Sequence, residues 1–389
     1  MRSIINSFLI PLLSFWMLCL VPSNLRAQYD SIPFGGYDRT YLLHLPTGYT
    51  GTEKLPLVVA MHGGFGNAYN IEQQSQLSIK SDSEHFIVVY PEGVKSPLLN
   101  ISSWNAGLCC GFAQNNNIDD VGFIDSLLNT LIENFEIDTN RIYATGMSNG
   151  GFMSYRLASE LSERIAAIAP VAATMNLANC TPERSVPIIH FNSALDANVP
   201  LEGGVGSGSS NHYNSPIDSV LNVWSALNSC SVTNDTIISN LDYTFTKWSS
   251  CECNRDIHYY KTEDGGHSWP GGTQTILGDP VSTVINATDL MWTFFQEHSL
   301  DCDDLSVMNQ TPNSSKIELF PNPTNHMLTV KMGQVYSTLE ISIYSSIGEH
   351  ILTVTNQTYL NFNSLPQGTY FLQIQVDGHS TRHKIIKSK

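Results

Sequence analysis

The fold of this chain is decided by residues 141–161, which read RIYATGMSNGGFMSYRLASEL. The first five residues are typical of a strand and residues 152–161 of a helix, so segment 146–150 must turn sharply between them. Such a turn is too sharp for side chains two residues either side of Ser148. Glycines there let the backbone bend and leave the Ser148 hydroxyl exposed at the edge of the sheet. The N-terminus of the helix adds positive potential that favours an oxyanion. The pattern predicts a serine nucleophile; a tight glycine turn with an idle serine is the alternative.

Buried strands and amphipathic helices alternate on both sides of this turn. Continuous apolar runs, as strands buried on both faces require, occur at residues 55–61, 86–90, 165–173 and 186–191. Helical patterns occur at residues 121–135, 151–161, 217–227 and 289–298. The alternation predicts a largely parallel sheet covered by helices on both faces. Asp119 and Asp120 precede the first helix, where carboxylates satisfy free N–H groups; a calcium site is the alternative.

A serine nucleophile needs a base, and the base needs an acid that orients it. After a turn of this kind the acid comes next along the chain and the histidine last. Asp196 lies just past the fourth apolar run, where a loop leaves a strand, and His267 has glycines on both sides. We therefore expect Asp196 and His267 to form a triad with Ser148. Asp218 and Asp264 compete as the acid, but neither follows a clear buried strand.

Acyl transfer also requires hydrogen-bond donors for the oxyanion. Segment 61–66, MHGGFG, follows the first apolar run, and the loop after this strand carries such donors in chains with a nucleophile turn. We expect the oxyanion to bind the backbone N–H of Asn149 and the N–H of Gly64 or Phe65. A plain glycine-rich turn is the alternative, and His62 is interpreted as a buried structural histidine.

Five motifs, in this order along the chain, resemble those of one known family. They are HGG at residues 62–64, WNAGLCCG at 104–111, DDVGFI at 119–124, GMSNGG at 146–151 and GGHSWPGG at 265–272. Over most of residues 35–300 the chain resembles secreted polyhydroxybutyrate depolymerase-like and feruloyl esterase-like α/β-hydrolases, relatives of carbohydrate esterase family 1. The resemblance implies an α/β-hydrolase three-layer sandwich with a mostly parallel sheet and the triad Ser148, Asp196 and His267. One departure precedes the acid, where a frequent His-Gly-Thr-x-Asp pattern is replaced by HFNSALD.

The resemblance implies a secreted serine esterase that hydrolyses carboxylic esters through an acyl-enzyme and needs neither a metal nor an organic cofactor. Feruloyl or acetyl esters on plant polysaccharide are the expected substrates, and extracellular polyhydroxybutyrate is the alternative. A surface adhesin built on an inactive hydrolase fold is the non-enzymatic alternative, against which an intact triad argues. Trp269, close to His267, is interpreted as a substrate-binding wall for an aromatic or sugar group or as a packed core residue.

Cysteine usage agrees with export to an oxidising compartment. Without Cys19, which precedes the expected cleavage site, seven of the eight cysteines remain, so at least one is unpaired or joined to another chain. The spacing of Cys251 and Cys253 does not fit a zinc site. The resemblance suggests disulfides with these candidate partners: Cys109 or Cys110 with Cys180, and Cys230 with Cys251 or Cys253.

The last part of the chain has a different pattern. Residues 301–315 are polar and aperiodic, as is typical of a linker. Short alternating strands follow from residue 316 and predict a small C-terminal all-β sandwich. LFPNP at residues 319–323, LPQGTYF at 365–371 and a basic end resemble the C-terminal sorting domain of the type IX secretion system, which implies that secretion machinery as a partner. A carbohydrate-binding sandwich is the rival interpretation, but this segment contains no tryptophan.

The start of the chain predicts export. Arg2, an apolar stretch at residues 8–21 and Ala27 are typical of a secretory signal peptide, with a lipoprotein anchor at Cys19 as the alternative. No later run is long and apolar enough for a transmembrane helix. We therefore expect a protein that is secreted or attached to the cell surface. The expected division is a signal peptide at 1–27, a catalytic domain at 28–300, a linker at 301–315 and a sorting domain at 316–389.

The net charge of the chain restricts the classes of molecule that it is expected to bind. The formal net charge is −16 and only 14% of residues are charged, which disfavours nucleic acid as a partner. Residues 311–389 carry six Lys and Arg against four Asp and Glu, so the preceding part is more acidic than the whole chain. An acidic catalytic domain fits neutral or lightly charged ester substrates and disfavours anionic ones.

Overall fold

A computed structural model describes residues 28–208, 211–231, 234–275, 278–302, 317–332, 338–345, 350–376 and 379–388. The chain divides into two compact units, Met1–Asp304 and Leu305–Lys389. The predicted signal peptide and most of the predicted linker lie outside the described residues. Within the described part, no helix has the length and hydropathy needed to cross a membrane.

The first unit contains fourteen strands and seven α-helices among its described residues. The strands are β1 Gln28–Phe34, β2 Tyr37–His44, β3 Leu55–Met61, β4 Ile87–Pro91, β5 Val94–Lys95, β6 Ser102–Ser103, β7 Ile137–Met147, β8 Ala167–Val171, β9 Ile188–Ser193, β10 Gly204–Val205, β11 Tyr213–Asn214, β12 Asn234–Ser239, β13 Tyr243–Trp248 and β14 Ile257–Thr262. The helices are α1 Ala68–Ser75, α2 Leu77–Glu84, α3 Gly111–Asn115, α4 Asp120–Asn134, α5 Asn149–Glu160, α6 Ile217–Leu227 and α7 Ala287–Gln296.

Ten of these strands form one sheet in the order β1-β2-β4-β3-β7-β8-β9-β14-β13-β12. Every neighbouring pair from β4 to β14 is parallel. Antiparallel strands extend the sheet at both edges, β1 and β2 at one and β13 and β12 at the other. The mostly parallel sheet confirms the predicted fold class.

Helices cover both faces of this sheet because the central strands are apolar on both sides. In β3, Leu57 and Val59 pack in one apolar cluster while Val58 and Ala60 pack in the other. The first cluster takes residues from α4, α5 and α6, and the second takes residues from α1, α2 and α7. The result is a three-layer arrangement in which the carboxyl ends of the parallel strands share one edge.

The edge strands were not among the strands that the sequence predicted. β12 is almost entirely exposed, and β1 is exposed at most of its positions. Such strands lack the continuous apolar run by which the central strands were recognised, since only one face or neither is buried.

The second unit is a small sandwich of antiparallel strands around its own apolar core. Its strands are β15 Ile317–Phe320, β16 Met327–Met332, β17 Leu339–Ser345, β18 His350–Thr355, β19 Tyr359–Asn361, β20 Gly368–Val376 and β21 His379–Lys387. They form one sheet in the order β15-β16-β19 and another in the order β18-β17-β20-β21. Both sheets contribute to the core, for example through Val330 and Leu360 from the first and Ile341 and Ile374 from the second. The predicted all-β fold of this segment is confirmed.

Candidate active site

Ser148 lies at the turn between β7 and α5 in an unusual backbone conformation. Its φ is 54° and its ψ is −123°, a combination that costs a non-glycine residue about 1–3 kcal/mol. Two backbone hydrogen bonds of 2.9 Å hold it: the Ser148 N–H donates to the Val171 carbonyl, and the Ser148 carbonyl accepts from the Phe152 N–H. Strain at a serine between a strand and a helix is typical of a nucleophile turn.

Glycine is required in this turn because the backbone segments approach very closely. A Cβ atom on Gly146 would overlap the carbonyl group of Gly150, and one on Gly150 would overlap the carbonyl group of Met61. Neither glycine has a positive φ. The need is therefore for space, as predicted from the sharpness of the turn, rather than for backbone freedom. The close approach sets the N-terminus of α5 against the end of β3.

Asp196 and His267 form a direct pair. The Nδ1 of His267 lies 2.8 Å from Oδ2 of Asp196, and the Asp196 side chain is completely buried. The other carboxylate oxygen, Oδ1, accepts the backbone N–H groups of Asn198 and Val199, each at 2.9 Å. The carboxylate therefore keeps a proton on Nδ1 of His267, which leaves Nε2 free to accept one.

The sheet topology brings this pair to the same edge as Ser148. Ser148 follows β7, Asp196 follows β9 and His267 follows β14, and these strands belong to the parallel part of the sheet. Among the described residues, no hydrogen bond joins the Ser148 hydroxyl to the His267 ring. Such a contact is often long until substrate is bound. The arrangement supports the predicted triad.

The two competing acids have other positions. Asp218 lies in the first turn of α6. Asp264 accepts a hydrogen bond from the Ser282 hydroxyl at 2.5 Å and another from the Thr283 N–H at 3.2 Å. The position of Asp218 in a helix terminus and the loop contacts of Asp264 indicate structural roles for both.

The structure distinguishes between the two predicted oxyanion donors in the glycine-rich loop. The Phe65 N–H donates to the carbonyl of Ser102 at 3.1 Å, so it is not free for an oxyanion, and this alternative is corrected. The Gly64 N–H has no acceptor among the described residues, and a Cβ at Gly64 would meet no atom within 4 Å. Asn149 is the first residue of α5, where an N–H group has no partner within the helix. Gly64 and Asn149 are therefore the better pair of donors.

His62 supports the glycine-rich loop from within the protein. Its Nε2 accepts the Gly93 N–H at 3.0 Å, so the ring proton is on Nδ1, which donates to the Gly63 carbonyl at 2.7 Å. Complete burial lowers the pKa of His62 to about 4. The ring stays neutral at physiological pH and serves a structural role, as the sequence predicted.

Trp269 does not form a wall of the site. Its side chain has no exposed surface and packs in the apolar cluster that includes α7. The indole N–H donates to the Thr288 hydroxyl at 2.9 Å. The predicted substrate-binding role of Trp269 is therefore wrong, because a ring enclosed on all sides has no face for a ligand.

The cysteine pairing differs in part from the expectation. Disulfides join Cys109 to Cys110, Cys230 to Cys251 and Cys253 to Cys302. Cys180 is free, so its expected pairing with the Cys109-Cys110 segment is wrong. The two sulfurs of that segment lie close to His212, but sulfurs joined in a disulfide are not the thiolate ligands that a metal ion needs.

Two contacts near the site were not predicted from the sequence, although Asp120 itself was expected to lie at the start of a helix. The His267 N–H donates to Oδ2 of Asp279 at 2.8 Å. Asp120 is completely buried, forms an ion pair with Arg39 at 2.7 Å and accepts the Asn105 N–H at 2.7 Å. The partners are between 12 and 81 residues apart in the sequence, so local patterns could not reveal these contacts.

Comparisons with known proteins agree with this architecture. Residues 39–178 match the family model described as esterase PHB depolymerase, and residues 318–388 match the secretion system C-terminal sorting domain. The first segment contains Ser148 and both supported oxyanion donors, whereas Asp196 and His267 lie beyond it. The sorting-domain match supports an extracellular or cell-surface location.

Several curated relatives are esterases. Feruloyl esterase B from Piromyces equi is 32% identical over 172 residues, which are 43% of this chain and 31% of that protein. The bifunctional acetylxylan esterase/xylanase XynS20E from Neocallimastix patriciarum is 24% identical over 242 residues, which are 59% of this chain and 33% of that protein. Poly(3-hydroxyalkanoate) depolymerase C from Paucimonas lemoignei is 25% identical over 257 residues, 64% of this chain and 55% of that protein. The chain thus spans about a third to just over half of these relatives.

Solved structures with a similar chain path include the acetyl xylan esterase from Aspergillus awamori. It is 15% identical, with a TM-score of 0.47, and the similarity covers 69% of this chain and 99% of the other. Taken with the geometry above, the two family matches identify two segments. Residues 39–178 are similar to the esterase PHB depolymerase family, and residues 318–388 are similar to the secretion system C-terminal sorting domain.

Proposed function

We propose that this protein is a secreted serine esterase in which Ser148, His267 and Asp196 act as a catalytic triad. One observation carries the proposal. Asp196 and His267, whose side chains lie 2.8 Å apart, follow strands β9 and β14. The strained Ser148 turn follows strand β7 in the parallel part of the same sheet. A buried carboxylate that orients a histidine near such a serine is the arrangement that acyl transfer requires.

The reaction proceeds in two halves. His267 Nε2 takes the Ser148 hydroxyl proton as Oγ attacks the ester carbonyl, and Asp196 stabilises the resulting imidazolium. The negative oxygen of the tetrahedral intermediate binds the N–H groups of Gly64 and Asn149. The imidazolium then protonates the leaving alcohol, which departs and leaves an acyl-Ser148. Water, activated by the same histidine, releases the acid and restores the serine.

Replacement of the nucleophile tests this proposal directly. Ser148→Ala should abolish hydrolysis of a chromogenic short-chain ester and labelling by a fluorophosphonate probe, since no other group can form the acyl-enzyme. Ser83→Ala, which changes an exposed serine on α2, should leave both unchanged. Turnover by Ser148→Ala at the wild-type rate would contradict the proposal, and a wild-type chain that is neither labelled nor active would favour a non-catalytic adhesin.

Feruloyl or acetyl esters on plant polysaccharide are the proposed substrates. Feruloyl and acetylxylan esterases among the relatives support this choice, and the acidic first unit suits a neutral polymer better than an anionic one. Polyhydroxybutyrate is the second candidate, favoured by the family model and by a depolymerase similar over 257 residues. Release of ferulate and acetate from arabinoxylan, compared with clearing of a polyhydroxybutyrate suspension, separates the two.

Delivery to the exterior is proposed to use the type IX secretion machinery, with the second unit as the signal. The sorting-domain match over residues 318–388 supports this partner. The proposed division assigns catalysis to the first unit and export to the second, and it places the signal peptide at residues 1–27.

A further inference from the structure

The side chain of Asn149 makes a paired contact that catalysis does not itself require. Its Oδ1 accepts the backbone N–H of Trp104 at 2.7 Å, and its Nδ2 donates to the Trp104 carbonyl at 3.0 Å. Both residues are buried, with Asn149 only 3% exposed and Trp104 not at all. One carboxamide thus satisfies the donor and the acceptor of a single backbone residue, in a place that water does not reach.

The same short segment also holds the opposite side of the oxyanion site. The Ser102 carbonyl accepts the Phe65 N–H at 3.1 Å, and the Trp104 indole N–H donates to the His62 carbonyl at 3.0 Å. These two contacts flank Gly64 along the chain. Segment 102–104 therefore lies between the loop that carries one oxyanion donor, Gly64, and the helix that carries the other, Asn149.

The segment has its own buried support. The N–H of Asn105, the next residue, donates to Asp120, whose other oxygen pairs with Arg39. The Cys110 N–H also donates to the Trp104 carbonyl, at 3.1 Å. These anchors hold the segment independently of its contact with Asn149.

We propose that the Asn149 carboxamide is a positioning group that sets the separation of the two oxyanion donors through segment 102–104. The inference rests on the proposed esterase function. Donors must lie about 2.7–3.1 Å from the oxyanion, and a misplacement of about 1 Å can lower the rate about 100-fold. The contact therefore stabilises the transition state without touching the substrate.

Asn149→Ala tests this because it keeps the backbone N–H and removes only the carboxamide. We expect kcat on a chromogenic ester to fall about 10- to 100-fold while KM changes less than about threefold. Binding of phenylboronic acid, which forms a tetrahedral adduct with the serine, should weaken by a factor similar to the fall in kcat. Trp104→Phe, which removes the indole N–H together with part of the ring, should show the same pattern more weakly. It provides the test if Asn149→Ala does not fold.

Asn228 provides a matched control. It is also fully buried, and its carboxamide also pairs with both backbone groups of one residue, Val186, at 3.1 and 2.8 Å. Asn228→Ala should lower thermal stability without selective loss of boronic acid affinity. Equal effects of Asn228→Ala and Asn149→Ala on kcat and on boronic acid affinity would overturn the inference. Boronic acid affinity that stays unchanged in both Asn149→Ala and Trp104→Phe would also overturn it. If wild-type protein shows no ester turnover and no fluorophosphonate labelling, the proposed function itself fails and this inference fails with it.

Discussion

At the scale of single residues, the carboxylate of Asp196 has both its oxygens engaged, each with a different kind of partner. Oδ1 accepts two backbone N–H groups and Oδ2 faces His267 Nδ1. This division fixes the orientation of the carboxylate, and through it the proton on the histidine ring. The same logic makes an amide substitution at this position informative.

Asp196→Asn should lower kcat by about 10⁴-fold. The two backbone N–H groups would hold the new amide oxygen, so its NH₂ group would face Nδ1 of His267. That ring would then carry its proton on Nε2, where it cannot accept one from Ser148. Steady-state kinetics on a chromogenic ester measures the effect.

The competing acid supplies the comparison for this experiment. Asp218→Asn should keep wild-type activity, because Asp218 lies in the first turn of α6. A large loss in Asp218→Asn together with near-normal activity in Asp196→Asn would show that the acid has been misidentified.

At the scale of elements, α5 approaches the end of β3 more closely than any side chain permits. The contact involves Gly150 on the helix and the carbonyl of Met61 on the strand. Backbone atoms cannot move aside as a flexible side chain can. This contact sets how closely the N-terminus of α5, which begins directly after Ser148, approaches the end of β3.

Gly150→Ala should therefore lower the free energy of unfolding by about 3 kcal/mol or more, because the added methyl group overlaps backbone. Thermal or urea unfolding of the purified protein measures this loss. Gly64→Ala is the matched substitution, since a Cβ there meets no atom within 4 Å and φ is not positive. Its stability should stay within about 0.5 kcal/mol of wild type. Equal stability of the two variants would refute the close-contact argument.

At the scale of the whole molecule, the described part encloses several histidines in their neutral form. Burial lowers the pKa of His62, His190 and His258 to about 4, and that of His298 to about 3. In the unfolded chain the pKa of each returns to 6.5. The stability they contribute is complete above pH 6.5 and declines as the pH falls from 6.5 towards 4, because only the unfolded state gains protons there.

Unfolding in urea at pH 5.5 should accordingly take up about three to four protons per chain from these histidines. Each histidine adds a slope of about 1.4 kcal/mol per pH unit to the free energy of unfolding in this range. Proton uptake can be measured with a pH-stat or an indicator dye. The histidine contribution should vanish at pH 8, which gives an internal control. Uptake below about one proton at pH 5.5 would contradict the burial of neutral rings.

The sequence by itself determined the central architecture, and it predicted which residues form the reactive groups. Strands buried on both faces are continuous apolar runs, and a nucleophile turn needs glycine at defined positions, so both leave local patterns. The order of Ser148, Asp196 and His267 along the chain followed from the same reasoning. The edge strands left no such pattern because much of their surface is exposed.

Only the tertiary structure decided which groups around the site are available. Phe65 has its N–H occupied by Ser102, Trp269 is enclosed in the core, and Cys180 is left unpaired. The contacts that position the oxyanion donors join Asn149 to Trp104, 45 residues apart. Hydrogen bonds between residues so far apart in the sequence depend on how loops from different strands meet. Local residue patterns carry no information about that meeting, since it is set by the packing of the whole sheet and its helices.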